Sequence, residues 1–248
     1  MHPYEPHVDY VLFHRKYPLN SRYAEKIPAI AATSQIKLHP HVTFFIGENG
    51  SGKSTLLEAI AVADGFNPEG GTRNFTNSTK DSHADLFKWI KLGRGARGKR
   101  RSDGFFLRAE SFYNVATEIE RLDFNPATSP YGPISYHDQS HGESFLSLMT
   151  TRLRGDGLYL FDEPEAALSP QRQLAFLVAM DELVHKESQF IIATHSPIIM
   201  AYPKAWIYQL TDHGIERVEY KETEHYRVTH SFLDQPERSL KHLLGSDD

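Results

Sequence analysis

The chain has 248 residues, enough for one large domain or one domain with a small insertion. Apolar residues make up 40% and charged residues 24%, a globular balance that excludes a disordered or collagen-like chain. Cysteine is absent, which excludes disulfide scaffolds, thiolate zinc centres and cysteine nucleophiles, and the net charge of −5 argues on its face against a protein that coats nucleic acid.

The first residues, Met1 to Glu5, show no basic-then-apolar leader, and no apolar run approaches the ~20 residues of a membrane span. The expectation is a cytoplasmic protein. Along the chain, short β-rich apolar runs occur at 8–13, 42–46, 104–107, 158–161, 190–193 and 206–210. Helical patterns fall at 55–64, 112–122, 143–153 and 171–186. Unbroken apolar strands alternating with helices predict an α/β fold whose sheet is buried on both faces and largely parallel. Residues 8–13 and 215–220 read as antiparallel or edge pieces. Residues 65–103, rich in Gly, Asn, Ser and basic side chains, and 125–139, rich in Pro and Ser, read as excursions from the core.

The strand at 42–46 runs straight into Gly47, Glu48, Asn49, Gly50, Ser51, Gly52, Lys53 and Ser54, followed by Thr55 and a helix. This matches G-x-x-x-x-G-K-[ST] in the strand-loop-helix setting that gives it physical meaning. Backbone N–H groups of such a loop converge on phosphates, and the helix N-terminus adds positive potential. Lys53 then reaches the β- and γ-phosphates, and Ser54 offers a hydroxyl to Mg²⁺. The strand at 158–161 ends in Asp162 and Glu163, which places two carboxylates at the rim where the phosphate loop opens. Asp162 is expected to hold Mg²⁺ and Glu163 to orient and deprotonate the attacking water.

Residues 162–170, Asp-Glu-Pro-Glu-Ala-Ala-Leu-Ser-Pro, resemble the extended Walker B and D-loop of ABC-type ATPases. The Glu after Pro is closer to SMC-, RecF- and OLD-like heads than to transporters. Ser140, His141, Gly142, Glu143 and Ser144 stand where that family has its signature, although alone they also read as a helix N-cap with Glu at N3. Residues 190–197 end a strand at His195, which resembles the switch histidine of the family.

The resemblance covers residues 36–212 and implies a P-loop NTPase fold: an ABC-ATPase head with a mostly parallel core sheet flanked by helices, an antiparallel β piece and a short helical insertion. Residues 1–248 are expected to form one domain, with 65–140 as the insertion. ATP and Mg²⁺ are the implied cofactors. Ser140, Gly142 and Glu143 would close over ATP held by a second copy, making a head-to-tail homodimer, and His195 would touch the γ-phosphate. Glu110 is the nearest candidate for the Mg²⁺-contacting loop, where the family has glutamine. Tyr17 and Tyr23 are candidates for stacking on adenine. Ser169 stands where the family often has Asp, which puts carboxylate cross-talk between protomers in doubt.

An ABC-transporter subunit is the alternative, and a slow nucleotide-dependent scaffold is another. Residues 110–140 are too few for the helical subdomain with which transporter ATPases dock, which favours a soluble head. The stretch 88–101 carries Lys88, Lys91, Arg94, Arg97, Lys99, Arg100 and Arg101 without an acid. Its glycines suggest a flexible arm for phosphate contacts with nucleic acid or another polyanion, and a solvated loop is the plainer reading. A partner protein is also possible.

Overall fold

The computed structural model describes residues 5–14, 27–72, 85–95, 102–108 and 141–245. Among these, the strands form two sheets. The larger contains β3 (Val42–Ile46), β5 (Asp103–Arg108), β6 (Gly157–Asp162), β7 (Gln189–Ala193), β8 (Ala205–Thr211) and β9 (Gly214–Val218), in the order β5-β6-β7-β3-β8-β9. All its neighbours are parallel except β8 and β9, which form a hairpin. The smaller sheet is antiparallel, with β1 (Tyr10–Phe13) between β2 (Gln35–Lys37) and β4 (Ile90–Gly93).

The period-2 alternation of the central strands explains why the sheet is covered twice. Phe44, Phe105, Phe161, Phe190 and Ile192 face one core with Phe145 of α3 (His141–Ser147) and Phe176 and Met180 of α4 (Pro170–His185). Phe45, Phe106, Leu160, Ile191 and Ala193 face the other, against Leu56, Leu57 and Ile60 of α2 (Lys53–Ala63) and the antiparallel sheet. Each of these phenylalanines is fully buried, worth roughly 1.5–3 kcal/mol apiece relative to exposure. α1 (Pro28–Ala31) packs beside β9, and Gln189 ties the N-terminal segment to β7 by bonding Val8 N–H at 2.9 Å and Val8 C=O at 2.8 Å.

Within 65–140, β4 completes the antiparallel sheet and β5 pairs with β6 in the core sheet. Other expectations need correction. Residues 88–95 are not a flexible arm. Gly93 is there for close approach: a Cβ on it would lie 2.1 Å from Tyr10 Cζ. Lys88 pairs with Asp85 at 2.7 Å, and Arg94 with the buried carboxylate of Asp64 at 3.0 Å. The helix expected over 143–153 is α-helical only to Ser147 and then opens into a π turn, Leu148–Arg152. The Thr150 and Thr151 hydroxyls there bond the carbonyls of Leu146 and Ser147, competing with the regular ladder. Beyond β9, two helices appear that were not foreseen, α6 (Glu224–Asp234) and α7 (Pro236–Leu244). The predicted helix at 112–122 and the Pro-rich 125–139 lie outside the described residues.

Candidate functional site

The parallel register brings the C-terminal ends of β5, β6, β7, β3 and β8 to one edge, where the loop 47–52 leaves β3. Glu48, Asn49 and Gly50 are exposed, and Ser51 and Thr55 are partly so. Gly52 has φ +99°, and a Cβ there would meet Ile27 Cγ2 at 2.5 Å, so only glycine fits the turn into α2. Gly47 is as tightly placed, under the carbonyl of Leu210.

Lys53, 4% exposed, is curled onto its own loop, donating to Gly47 C=O at 3.0 Å and Glu48 C=O at 2.9 Å. Burial holds its ammonium below the ordinary lysine range, with the carboxylates of Glu163, Asp162 and Glu165 pulling the other way. The Ser54 hydroxyl donates to Asp162 Oδ1 at 2.9 Å. A hydroxyl and a carboxylate converging from α2 and β6 are hard oxygen ligands of the kind Mg²⁺ takes, so the residues fit that ion.

Glu163 leaves the strand in the left-handed region, φ 51° and ψ 54°, its N–H donating to Ala193 C=O at 2.9 Å. That turn aims its half-exposed carboxylate at His195, with Oε1 at 3.6 Å from Nε2. The His195 Nε2 is buried and has no hydrogen-bond partner among the described residues. Burial first, then Lys53, hold its pKa below the usual histidine range, while Glu163 opposes them.

Lys53, Ser54, Asp162, Glu163 and His195, far apart in sequence, thus share one edge. On the far side, α3 packs against α4 and the Pro164–Ala167 turn. Gly142 lies so close that a Cβ would be 2.6 Å from Arg172 Nη1 and 2.9 Å from Ala167 C=O. Glu143 pairs with Arg172 at 3.1 Å. Ser169 caps α4, accepting from Arg172 N–H at 3.4 Å, with Pro170 at the first helical position. Ser140, Glu110, Tyr17 and Tyr23 lie outside the described residues.

Three residues at the edge escaped the sequence reading. Arg108 ends β5 opposite Asp162, bonding Glu58 at 2.8 Å and lying 3.7 Å from Asp162 Oδ2. Glu165 accepts from the His195 N–H and, at 2.8 Å, from the Thr194 hydroxyl. Burial raises its pKa against these bonds. His225 of α6 places Nε2 3.1 Å from His195 Nδ1. Only the glutamate after Pro164 left a signal, as a departure from the transporter pattern.

Two sequence families match the chain: "AAA domain" over residues 29–126, and "AAA domain, putative AbiEii toxin, Type IV TA system" over residues 129–201. The chain is similar to AAA-type domains over these two stretches, and a phosphate loop leaving a mostly parallel sheet is the arrangement of a P-loop NTPase fold. Among solved structures, the SMC head domain from Thermotoga maritima is 18% identical with a TM-score of 0.45, covering 86% of this chain and 99% of that one. CbiO1 from Clostridium perfringens, described as part of the ABC transporter complex CbiONQ, is 15% identical with a TM-score of 0.49, covering 96% and 99%. A nucleotide-free ATP-binding cassette from an ABC transporter is 17% identical with a TM-score of 0.47, covering 92% and 98%. No curated protein matches significantly in sequence. Among the described residues, no helix is long and apolar enough to cross a membrane.

Proposed function

We propose that the chain binds Mg²⁺-ATP on the loop of residues 47–55 and hydrolyses it between two copies arranged head to tail. The observation that carries this reading is the meeting at one sheet edge of the Lys53-filled loop, the Ser54–Asp162 pair and the Glu163–His195 pair. The N–H groups of the loop and Lys53, released from Gly47 and Glu48, would bind the phosphates. Ser54 and Asp162 would hold Mg²⁺, which when bound neutralises charge on the β- and γ-phosphates. Glu163 would take a proton from the attacking water, and His195 would donate from Nε2 to the γ-phosphate oxygens. Glu110 keeps its proposed place as a further metal-loop group.

The second copy is supported by how open the first one is: Glu48, Asn49 and Gly50 face solvent, and the Glu163 side chain is 42% exposed. The helix carrying Gly142 and Glu143 packs beside the Pro164–Ala167 turn of its own chain. With Ser140 at its start, it would cover the ATP of a partner copy. Glu163→Gln should bind ATP without cleaving it and so accumulate dimers. Light scattering with Mg²⁺-ATP should then show twice the mass seen without nucleotide. A variant that stays monomeric at micromolar concentration overturns the shared site.

The partner reading rests on residues 88–101. With Lys88 and Arg94 already paired, Lys91, Arg97, Lys99, Arg100 and Arg101 would carry contact with nucleic acid or another polyanion. Binding to a single-stranded oligonucleotide should fall steeply with salt and vanish when these residues become serine. Salt-independent binding, or none at low salt, overturns it.

A further inference from the structure

His195 is gripped at two levels. Its backbone N–H donates to the Glu165 carboxylate, which also accepts from Thr194. The Thr194 hydroxyl in turn accepts from Ser196 N–H at 3.0 Å, and Ser196 caps α5 (Pro197–Met200). The peptide at the end of β7 is fixed by these bonds, but a fixed backbone leaves the imidazole free to carry its proton on either nitrogen. The ring is met by His225 alone among the described hydrogen-bond partners, Nε2 to Nδ1 at 3.1 Å, with ring centroids 5.3 Å apart.

The position of His225 is set by the chain after β9. Tyr220 donates its hydroxyl to Pro197 C=O at 2.9 Å, which ties the turn Tyr220–Glu222 to α5. Thr223, fully buried, donates to Tyr220 C=O at 2.7 Å and caps α6 by accepting from Tyr226 N–H at 3.2 Å. Two residues into this anchored start, His225 is delivered to the switch.

One N–H must lie between the two imidazoles. If His195 Nδ1 carried it, Nε2 would be a bare lone pair, buried and directed at the Glu163 carboxylate 3.6 Å away. If His225 Nε2 carries it, His195 accepts at Nδ1 and holds its own proton on Nε2, where an anion would be met by a donor. Electrostatics selects the second arrangement. The charged groups facing the two rings are Lys53 and Glu163 at His195, and Glu224, Lys53 and Glu165 at His225. We infer that His225 is the positioning residue that fixes the tautomer of His195, so that the Nε2 proton is presented to the γ-phosphate oxygens. The inference rests on the ATPase reading for its use, but the tautomer can be observed without turnover.

The test is two-bond ¹H–¹⁵N correlation of the imidazoles in the ¹⁵N-labelled full chain at pH 7.5, with the His195 signals assigned by their loss in His195→Ala. The wild type should show His195 Nδ1 at the shift of an unprotonated nitrogen and Nε2 at that of a protonated one. In His225→Phe the two shifts should move toward each other, and kcat should fall about tenfold with KM for ATP nearly unchanged. His225→Gln, whose amide N–H can donate from the same place, should restore most of kcat and the wild-type shifts. A proton on Nδ1 in the wild type overturns the inference whether or not the Phe variant folds, and so do unchanged shifts in a folded His225→Phe. Wild-type protein with the expected tautomer and no ATP turnover supports the pairing and overturns the ATPase reading instead.

Discussion

Glu163 carries the cost of its own placement. A glutamate in the left-handed region is disfavoured by about 1–2 kcal/mol, and here its N–H bond to Ala193 C=O holds the turn. Geometry explains the choice: adjacent acids on a strand point to opposite faces, and the turn at 163 lets both face the phosphate loop. Glu163→Gly should therefore relieve strain while removing the carboxylate, raising the thermal midpoint by about 2–4 °C and abolishing hydrolysis. A lowered midpoint would show that the Glu163 side chain stabilises the fold. Arg108 and Glu165 extend the same logic. Arg108 lies where it can offset charge on Asp162, and Glu165 links the end of β7 to the turn after β6.

At the scale of elements, the helix bearing Gly142 and Glu143 is held by one aromatic anchor. Phe145 is fully buried, 5.9 Å from the ring of Phe161 on β6 and 5.9 Å from that of Phe176 on α4. Phe145→Ala should cost about 3–5 kcal/mol in chemical denaturation, and Phe145→Leu less than about 1.5. Equal losses for both would mean that ring geometry, rather than volume, sets the packing. The core strands were legible because β3, β5, β6, β7 and β8 are apolar runs, and β3, β6 and β7 run straight into a motif. β2 was not, since Gln35–Lys37 offers one apolar residue and becomes a strand by pairing with β1. β4 was hidden by the charge of its surroundings, although Ile90 and Leu92 alternate with Lys91. The cap at Thr223, Pro236 at a helix start and the spaced Val228, Phe232, Leu240 and Leu243 announced α6 and α7 locally. That α6 would meet His195 is a tertiary fact, which local pattern does not encode.

For the molecule as a whole, pH acts through histidines that fold in their neutral form. Burial, with His41 and Arg217, lowers His39 to about 4, and His41, His195 and His225 also lie below the ordinary range. The unfolded chain binds these protons first, so the stabilisation is complete above about 6.5 and is lost as pH falls through the folded values. Glu165 has the opposite sign: its raised pKa makes stability decline as pH rises through that value. With four histidines against one glutamate, the thermal midpoint should drop between pH 7 and pH 5. His39→Asn keeps an acceptor for the N–H groups of His41 and Val42 and should flatten that slope; an unchanged slope would clear His39 of the effect. The C-terminal helices add a consequence of another kind. They have no buried residue of their own, and α6 delivers the ring that meets His195. Displacing α6 should therefore free the His195 ring while leaving both cores of the larger sheet intact.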